Sequence, residues 1–281
     1  LLVSTDPAHS TSDVLQIRLG PDTQAVAPNL DALELDPERE AELYISDVKD
    51  RLAEAVPQRL VAEVERQVDI ARVSPGAGEA ALFERFARVL EESAPYERIV
   101  FDTAPTGQTL RLLGLPELMT VWMSGLIQRR RKVNSLGKMW RNVAGASAGG
   151  DSEHDTVLAS LEDRRDRFVR AREVLIDPKQ TSFLFVLTPE RLPVLETVRA
   201  VRTLRKYRIP VGGVVVNQVE PLGSGPADAP GRVGRQSEFL DTIKTEFADT
   251  PLWSVPRMEE ELLGLPALRE LCRSMSLESA P

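Results

Sequence analysis

Thiols are almost absent from this chain. A single cysteine, Cys272, stands among 281 residues, so no internal disulfide can close and no cysteine-rich metal site can form. That usage predicts a cytoplasmic protein in a reducing environment. Basic charge is in deficit as well: 35 Lys and Arg against 43 Asp and Glu give a net charge of −8. No global field favours a phosphodiester backbone, and a nucleic-acid partner would need a strong local patch. The one dense run, Gln128–Lys132, reads as a solvated helix face, and no nucleic acid is expected. Long apolar runs are missing too. The most apolar stretch, Leu110–Ile127, carries Arg111, Pro116 and Glu117 and falls short of the roughly 20 clean apolar residues of a membrane span. The amino terminus begins Leu1-Leu2-Val3, with neither an initiator Met nor a signal-peptide pattern, inside what reads as a buried strand. The expectation is that the true beginning lies upstream.

What is present is ordinary for a globular chain: 42% hydrophobic residues and 17 glycines exclude disordered and collagen-like readings. Four short apolar runs rich in β-branched residues, Leu1–Val3, Arg98–Phe101, Phe183–Leu187 and Val211–Val216, are each followed by a turn and a helical period. That alternation predicts an α/β fold with a mostly parallel sheet flanked by helices. From Pro37 to Ile70 the apolar residues fall at helical spacing. No strand signal appears between Phe101 and Phe183, and Leu115, Leu118, Met119, Trp122, Met123, Leu126 and Ile127 line one helix face. This gap reads as a helical insertion, within which Leu158–Val174 reads as a charged amphipathic helix. Asn142–Gly150 and Gly223–Gly231 read as loops, and Trp253–Arg257 with Pro266 breaks up the carboxyl end.

Two strand ends carry chemistry. Ser4-Thr5-Asp6-Pro7-Ala8-His9-Ser10 sets an acid and hydroxyls directly after a buried strand, where α/β sheets place ligands. A carboxylate there can orient a water or reach a metal, and Ser10 or Ser12 is placed to cap a following helix. The second segment, Ile99-Val100-Phe101 running into Asp102-Thr103-Ala104-Pro105-Thr106-Gly107, follows the Walker-B design of an apolar strand ending in a magnesium-holding Asp. Gly107 lets backbone approach a phosphate or bend as a switch.

Together these segments resemble the arsenite-pump ATPase (ArsA) and the tail-anchored-protein targeting ATPases, within the deviant Walker-A class of P-loop NTPases. STDPAHS (Ser4–Ser10) looks like the family's switch I, and DTAPTGQTLRLLGLPE (Asp102–Glu117) like its switch II. TPERLPVLETVRAVRTL (Thr188–Leu204), VVVNQ (Val214–Gln218) and PLWSVPRMEEELLGLPAL (Pro251–Leu268) extend the likeness toward the carboxyl end. The resemblance implies ATP and Mg²⁺ as cofactors. It implies that Asp6 activates the attacking water, that Asp102 acts on the Mg²⁺ shell through a water, and that Gly107 senses the γ-phosphate. Asn217 and Gln218 would then read adenine, with Pro256 and Met258 lining the base pocket. The implied division is a nucleotide-hydrolase core over 1–114, a helical insertion over 115–176, and the adenine-binding part of the core over 177–281.

Three departures bear on function. No Gly-x₄-Gly-Lys-Ser/Thr loop occurs, and the one Gly-Lys pair, Gly137-Lys138, runs into Met139. The family's phosphate loop would lie upstream of Leu1, so the 281 residues alone are expected to be inactive and the complete protein active. The alternative is a scaffold or pseudo-ATPase that has lost the loop. Pro226–Gly231 has no thiol where eukaryotic targeting members carry a zinc-clasping Cys-x-x-Cys, and one Cys272 cannot bind As(III) as a set of thiolates would. Gln108 stands where many relatives have His, which removes a proton switch. One nucleotide domain per chain implies a homodimer. Its partner is either a client helix from a membrane protein, held by Met119, Trp122, Met123 and Leu126 where that stripe is a groove and not ordinary core, or a membrane transporter subunit.

Overall fold

The computed structural model describes all residues except 7, 56–60, 63–65, 67–76, 93, 104–112, 115–119, 121–122, 126, 129–150, 221–229, 259 and 279–281. The chain divides into two compact units. One comprises Leu1–Pro7, Leu35–Thr103 and Arg111–Glu173; the other comprises Ala8–Glu34, Ala104–Leu110 and Val174–Pro281.

In the first unit, strand β1 (Leu2–Ser4) pairs in parallel with β4 (Val100–Asp102), in the register Leu2 to Val100, Val3 to Phe101 and Ser4 to Asp102. Both strands end one residue later than their apolar runs suggest, because the ladder continues through polar Ser4 and Asp102. Helix α2 (Pro37–Ala55) starts where Asp36 Oδ1 accepts the backbone N–H groups of Glu38 and Arg39, a side-chain cap with proline at the first helical position. Helix α3 (Ala77–Glu91) and, as far as Glu173, helix α4 (Asp151–Ile176) belong to the same unit. Their core is aromatic. Phe83 of α3 meets Phe168 of α4 edge-on at 4.9 Å between centroids, and Phe86 lies 4.3 Å from Phe101 of β4. Phe83, Phe168 and Val3 are almost wholly removed from water.

In the second unit, helix α1 (Ser10–Leu15) precedes an antiparallel hairpin of β2 (Gln24–Ala27) and β3 (Leu30–Glu34). The hairpin is absent from the sequence expectations. Its turn is tight because Asn29 takes a left-handed φ of 63°, which Asn tolerates better than most residues. Strands β5 (Phe183–Leu187), β6 (Val211–Val219), β7 (Leu252–Pro256) and β8 (Ser276–Glu278) form a sheet in that order, parallel as far as β7 and antiparallel at β8. Helices α5 (Arg191–Lys206), α6 (Pro230–Glu246) and α7 (Gly264–Ser274) flank it.

The expected break at Trp253–Arg257 is instead strand β7 over all but its last residue, and Pro256 sits at the strand's end, where a missing N–H is tolerated. Trp253 fits because Gly213 faces it on β6: a Cβ at 213 would lie 2.0 Å from the indole ring. The expected loop at 223–231 yields its last two residues to α6, whose first residue is Pro230. Asn142–Gly150 lies outside the described residues. No described helix is long and apolar enough to cross a membrane.

Helix α4 has no continuous apolar stripe, and charge fastens it instead. Buried Glu84 of α3 receives Arg167 Nη1 at 2.6 Å and faces Arg164 Nε at 3.4 Å. Arg167 also holds Glu91 and Asp163 at 2.9 Å each, while Arg164 stacks 4.8 Å from the Tyr44 ring of α2. Burial pushes the Glu91 carboxyl up, but hydrogen bonds from Arg170 and Arg167 outweigh it and hold the group below the ordinary glutamate range.

Arg167→Ala should therefore destabilise by about 3 kcal/mol, the low end for a buried pair broken on one side, because Arg164 still faces Glu84. A depressed carboxyl stabilises fully above its unfolded pKa and loses that contribution as pH falls through the folded value. The gap in denaturation midpoint between wild type and variant should accordingly narrow in acid, as equilibrium urea unfolding across pH would measure.

Candidate functional site

The first constellation grows from the β1–β4 register. Because Ser4 sits opposite Asp102, the next residue of β1 reaches the end of its neighbour: the Thr5 N–H donates to the Asp102 carbonyl at 2.9 Å, and Thr5 Oγ1 donates to the same oxygen at 3.3 Å. On the other flank, the Leu35 N–H donates to the Ser4 carbonyl at 2.9 Å. The Asp6 N–H turns back onto Ser4 Oγ at 3.4 Å. Two candidate acids, Asp6 and Asp102, thus leave the carboxyl ends of adjacent parallel strands, where open α/β sheets gather their ligands. Ser4 and Thr5 are buried and Asp6 half-buried, so hydrogen-bonded polar backbone underlies a carboxylate with access to solvent.

The second constellation lies at the same ends of β6 and β7. The pairing of these strands slips: Val216 opposes Ser254 and Val219 opposes Pro256, so Asn217 and Gln218 together face one residue. This is a β-bulge, a device that re-aims side chains beside sites, and Gln218 takes the required left-handed φ of 58°. Asn217 Oδ1 accepts the Gln218 N–H at 2.9 Å, which fixes the carboxamide. Asn217 is therefore inside the strand rather than beyond it. Pro256 closes β7, half-buried Met258 follows two residues later, and Arg257 donates from its N–H to the Val219 carbonyl and from Nη1 to Glu220 Oε1, both at 2.9 Å.

Two sets of residues went unnoticed in the sequence. Buried Gln236 of α6 clasps the backbone just past the bulge: its Oε1 accepts the Glu220 N–H at 2.9 Å and its Nε2 donates to the Glu220 carbonyl at 3.1 Å. Glu34, at the end of β3 and only 4% exposed, accepts Ser12 Oγ–H at 2.5 Å and faces His9 Nδ1 at 3.2 Å. Ser12 and Ser10 were expected as helix caps. The residue preceding α1 is His9, at a left-handed φ of 54°, with no capping hydrogen bond from its side chain. Ser12 turns to Glu34 because a buried carboxylate needs donors more than an exposed helix end does. An acidic residue directly after the apolar pair Ala32-Leu33 is the signal the sequence offered for Glu34.

Gly107, Met119, Trp122 and Leu126 lie outside the described residues. Met123 is described and buried, 1% exposed. Among the described residues no group of three His, Cys, Asp or Glu could enclose a metal. The available donors near the first constellation are hard oxygens, the Asp6 and Asp102 carboxylates. That set suits Mg²⁺, which takes one or two carboxylates and completes its octahedron with water and phosphate.

Comparison with known proteins gives the chain a family. The profile of a family described as "Anion-transporting ATPase" matches residues 1–277. A protein of Aquifex aeolicus (strain VF5) named as an arsenical pump-driving ATPase is 34% identical over 279 residues, 99% of this chain and 89% of its own length. "ATPase GET3B" of Arabidopsis thaliana is 32% identical over 296 aligned positions, covering 96% of this chain and 70% of its own. "ATPase ASNA1 homolog 1" of Paramecium tetraurelia is 28% identical over 275 residues, covering 97% and 82%.

The Gln236 clasp generates a prediction of its own. Gln236→Leu strips Glu220 of both backbone partners, at a cost of roughly 1–3 kcal/mol for buried groups left unpaired. Amide hydrogen exchange should rise at 217–220 and stay unchanged in α4.

Proposed function

The chain belongs to the anion-transporting ATPase family, a P-loop NTPase fold, and from that premise we propose that it binds ATP with Mg²⁺ and hydrolyses it to switch a cytoplasmic homodimer. The observation that carries the reading is the Thr5–Asp102 hydrogen-bonded pair, which sets Asp6 and Asp102 at one sheet edge. Hydrolysis asks for an ionised carboxylate beside the attacking water and a second one on the metal shell. Asp6 takes the first role: it accepts a hydrogen bond from the water that attacks the γ-phosphorus, the bond to the β–γ bridging oxygen breaks, and ADP and inorganic phosphate leave. Asp102 takes the second, holding Mg²⁺ through a water. The bound ion supplies neutralisation of charge on the phosphate oxygens.

The bulge at Asn217 and Gln218 supports the adenine assignment, because an amide both donates and accepts, as the base's hydrogen-bonding edge requires. Pro256 and Met258 supply apolar surface for the base, and Gly107 is assigned to sensing the γ-phosphate. The 281 residues contain no phosphate loop, and its backbone N–H cradle stabilises developing charge. Turnover is therefore assigned to the gene product that carries one. The relatives named for an arsenical pump and as GET3B and ASNA1 ATPases support an output toward a transporter subunit or a membrane-protein client. Residues 115–176 are the proposed place of delivery, with the stripe at Met119, Trp122, Met123 and Leu126 as the client groove. Burial of Met123 requires that such a groove open before it binds.

Steady-state phosphate release by the complete gene product and by the 281-residue chain should separate them, with turnover only in the former. Asp6→Asn in the complete protein should lower kcat by roughly 10²–10⁴, the range for a positioned acid–base group, while a fluorescent ATP analogue still binds. Equal turnover in both chains, or a fully active Asp6→Asn, would refute the assignment. Asn217→Ala should raise the KM for ATP and narrow the preference for ATP over GTP, by about 1–3 kcal/mol for a base-edge contact.

A further inference from the structure

Helix α5, within the second unit, turns a two-part face to solvent. Its buried side, Val194, Thr197, Ala200, Val201 and Leu204, packs against β5 and β6. On the opposite side Leu192, Leu195, Arg199, Arg202 and Lys206 recur at alternating intervals of three and four residues, so they form one stripe along the helix. Both leucines meet water, Leu192 at 69% and Leu195 at 42% exposure. The three cations of the stripe are exposed as well, and Arg205 and Arg208 flank them in solvent. From Arg191 to Arg208 six basic side chains stand against one acid, Glu196, in a chain whose net charge is −8. Among the described residues, the stripe's one ion pair joins Arg202 Nη2 to Glu246 of α6 at 3.8 Å, with both side chains exposed, an arrangement that holds little energy. We propose that this face of α5 docks on an anionic membrane surface, its cations meeting lipid headgroups while Leu192 and Leu195 enter the acyl boundary beneath them.

A basic patch by itself would serve any polyanion. The leucines narrow the choice, because an apolar side chain gains nothing from a phosphodiester backbone and gains when it leaves water for the edge of the hydrocarbon. Long Arg and Lys stems keep the charged ends at headgroup depth while the leucines sit deeper. Clusters of roughly four to eight Lys and Arg on an amphipathic helix are the composition that anionic leaflets attract. The helix dipole favours cations in the last turn and so accounts for Arg205 and Lys206. It accounts neither for Arg199 and Arg202 nor for two leucines in water. The patch is also a product of folding: the sequence spreads these cations among Ala200, Val201 and Leu204, which the helix turns inward.

Vesicle binding needs no turnover, so the test is independent of the hydrolytic reading. The complete gene product should co-sediment at low salt with vesicles of equal parts phosphatidylcholine and phosphatidylserine, stay in solution with phosphatidylcholine alone, and be released as salt is raised. Arg199→Ala combined with Lys206→Ala should weaken that binding about twenty-five-fold, at about fivefold for each cation near the surface. Leu192→Ser should weaken it several-fold and leave its salt dependence unchanged. All three side chains are exposed, so the melting temperature should hold. Phosphate release measured on the same samples reports on the hydrolytic assignment separately. Equal retention on both kinds of vesicle would overturn the proposal, and so would phosphatidylserine binding that the double variant leaves intact, which assigns the contact to another surface. RNA binding that the double variant abolishes, with no vesicle binding, would overturn it as well and make the face a nucleic-acid surface.

Discussion

A single backbone oxygen, the carbonyl of Asp102, receives both the amide and the hydroxyl of Thr5. Most of what the first unit offers chemically follows from that junction. Parallel pairing makes the two strands end on the same side, and the register of Ser4 against Asp102 decides how far each chain runs before turning. A slip of one residue would send Asp6 back into the ladder and reverse the faces of Val3 and Phe101. The contact of Phe86 on Phe101 opposes such a slip, because it sets one side of β4 toward α3, which Phe83 in turn joins to Phe168 of α4.

The second unit solves a comparable problem by a different means. There the strand ends are shaped by irregularity rather than by register alone. The bulge lodges Asn217 and Gln218 opposite one residue, and the Gln236 clasp together with the Arg257–Glu220 pair secures the backbone that leaves the strand. An unpaired residue in a parallel ladder loses hydrogen bonding and gains direction. Just past the bulge, Gln236 satisfies both backbone polar groups of Glu220.

Charge plays a structural role in α4 that its pattern does not advertise. The helix presents Arg164, Arg167 and Arg170 to Glu84 and Glu91, so a surface-looking sequence lies across a partly buried ionic network. A periodicity argument reads Leu158–Val174 as a charged amphipathic helix, which is right in kind. It gives no means of knowing that the Arg face, together with Phe168, is the packed one.

Local chemistry in the sequence was enough for the class of fold and for the four parallel strands β1, β4, β5 and β6. Both depend on near neighbours: apolar runs of strand length and helical spacing. The motifs at Ser4–Ser10 and Asp102–Glu117 pointed to the family, which the match over residues 1–277 bears out. Tertiary structure alone decided the rest. The hairpin of β2 and β3, strands β7 and β8, the bulge at Asn217, and the burial of Glu34 against His9 and Ser12 all depend on partners distant in the chain or on backbone conformations that no local period encodes. In a run such as Phe183–Leu187 every residue is apolar, so the sequence marks a strand without telling which face is covered; Phe185 and Leu187 are buried while Leu184 and Val186 are exposed, a distinction created only by what packs against them.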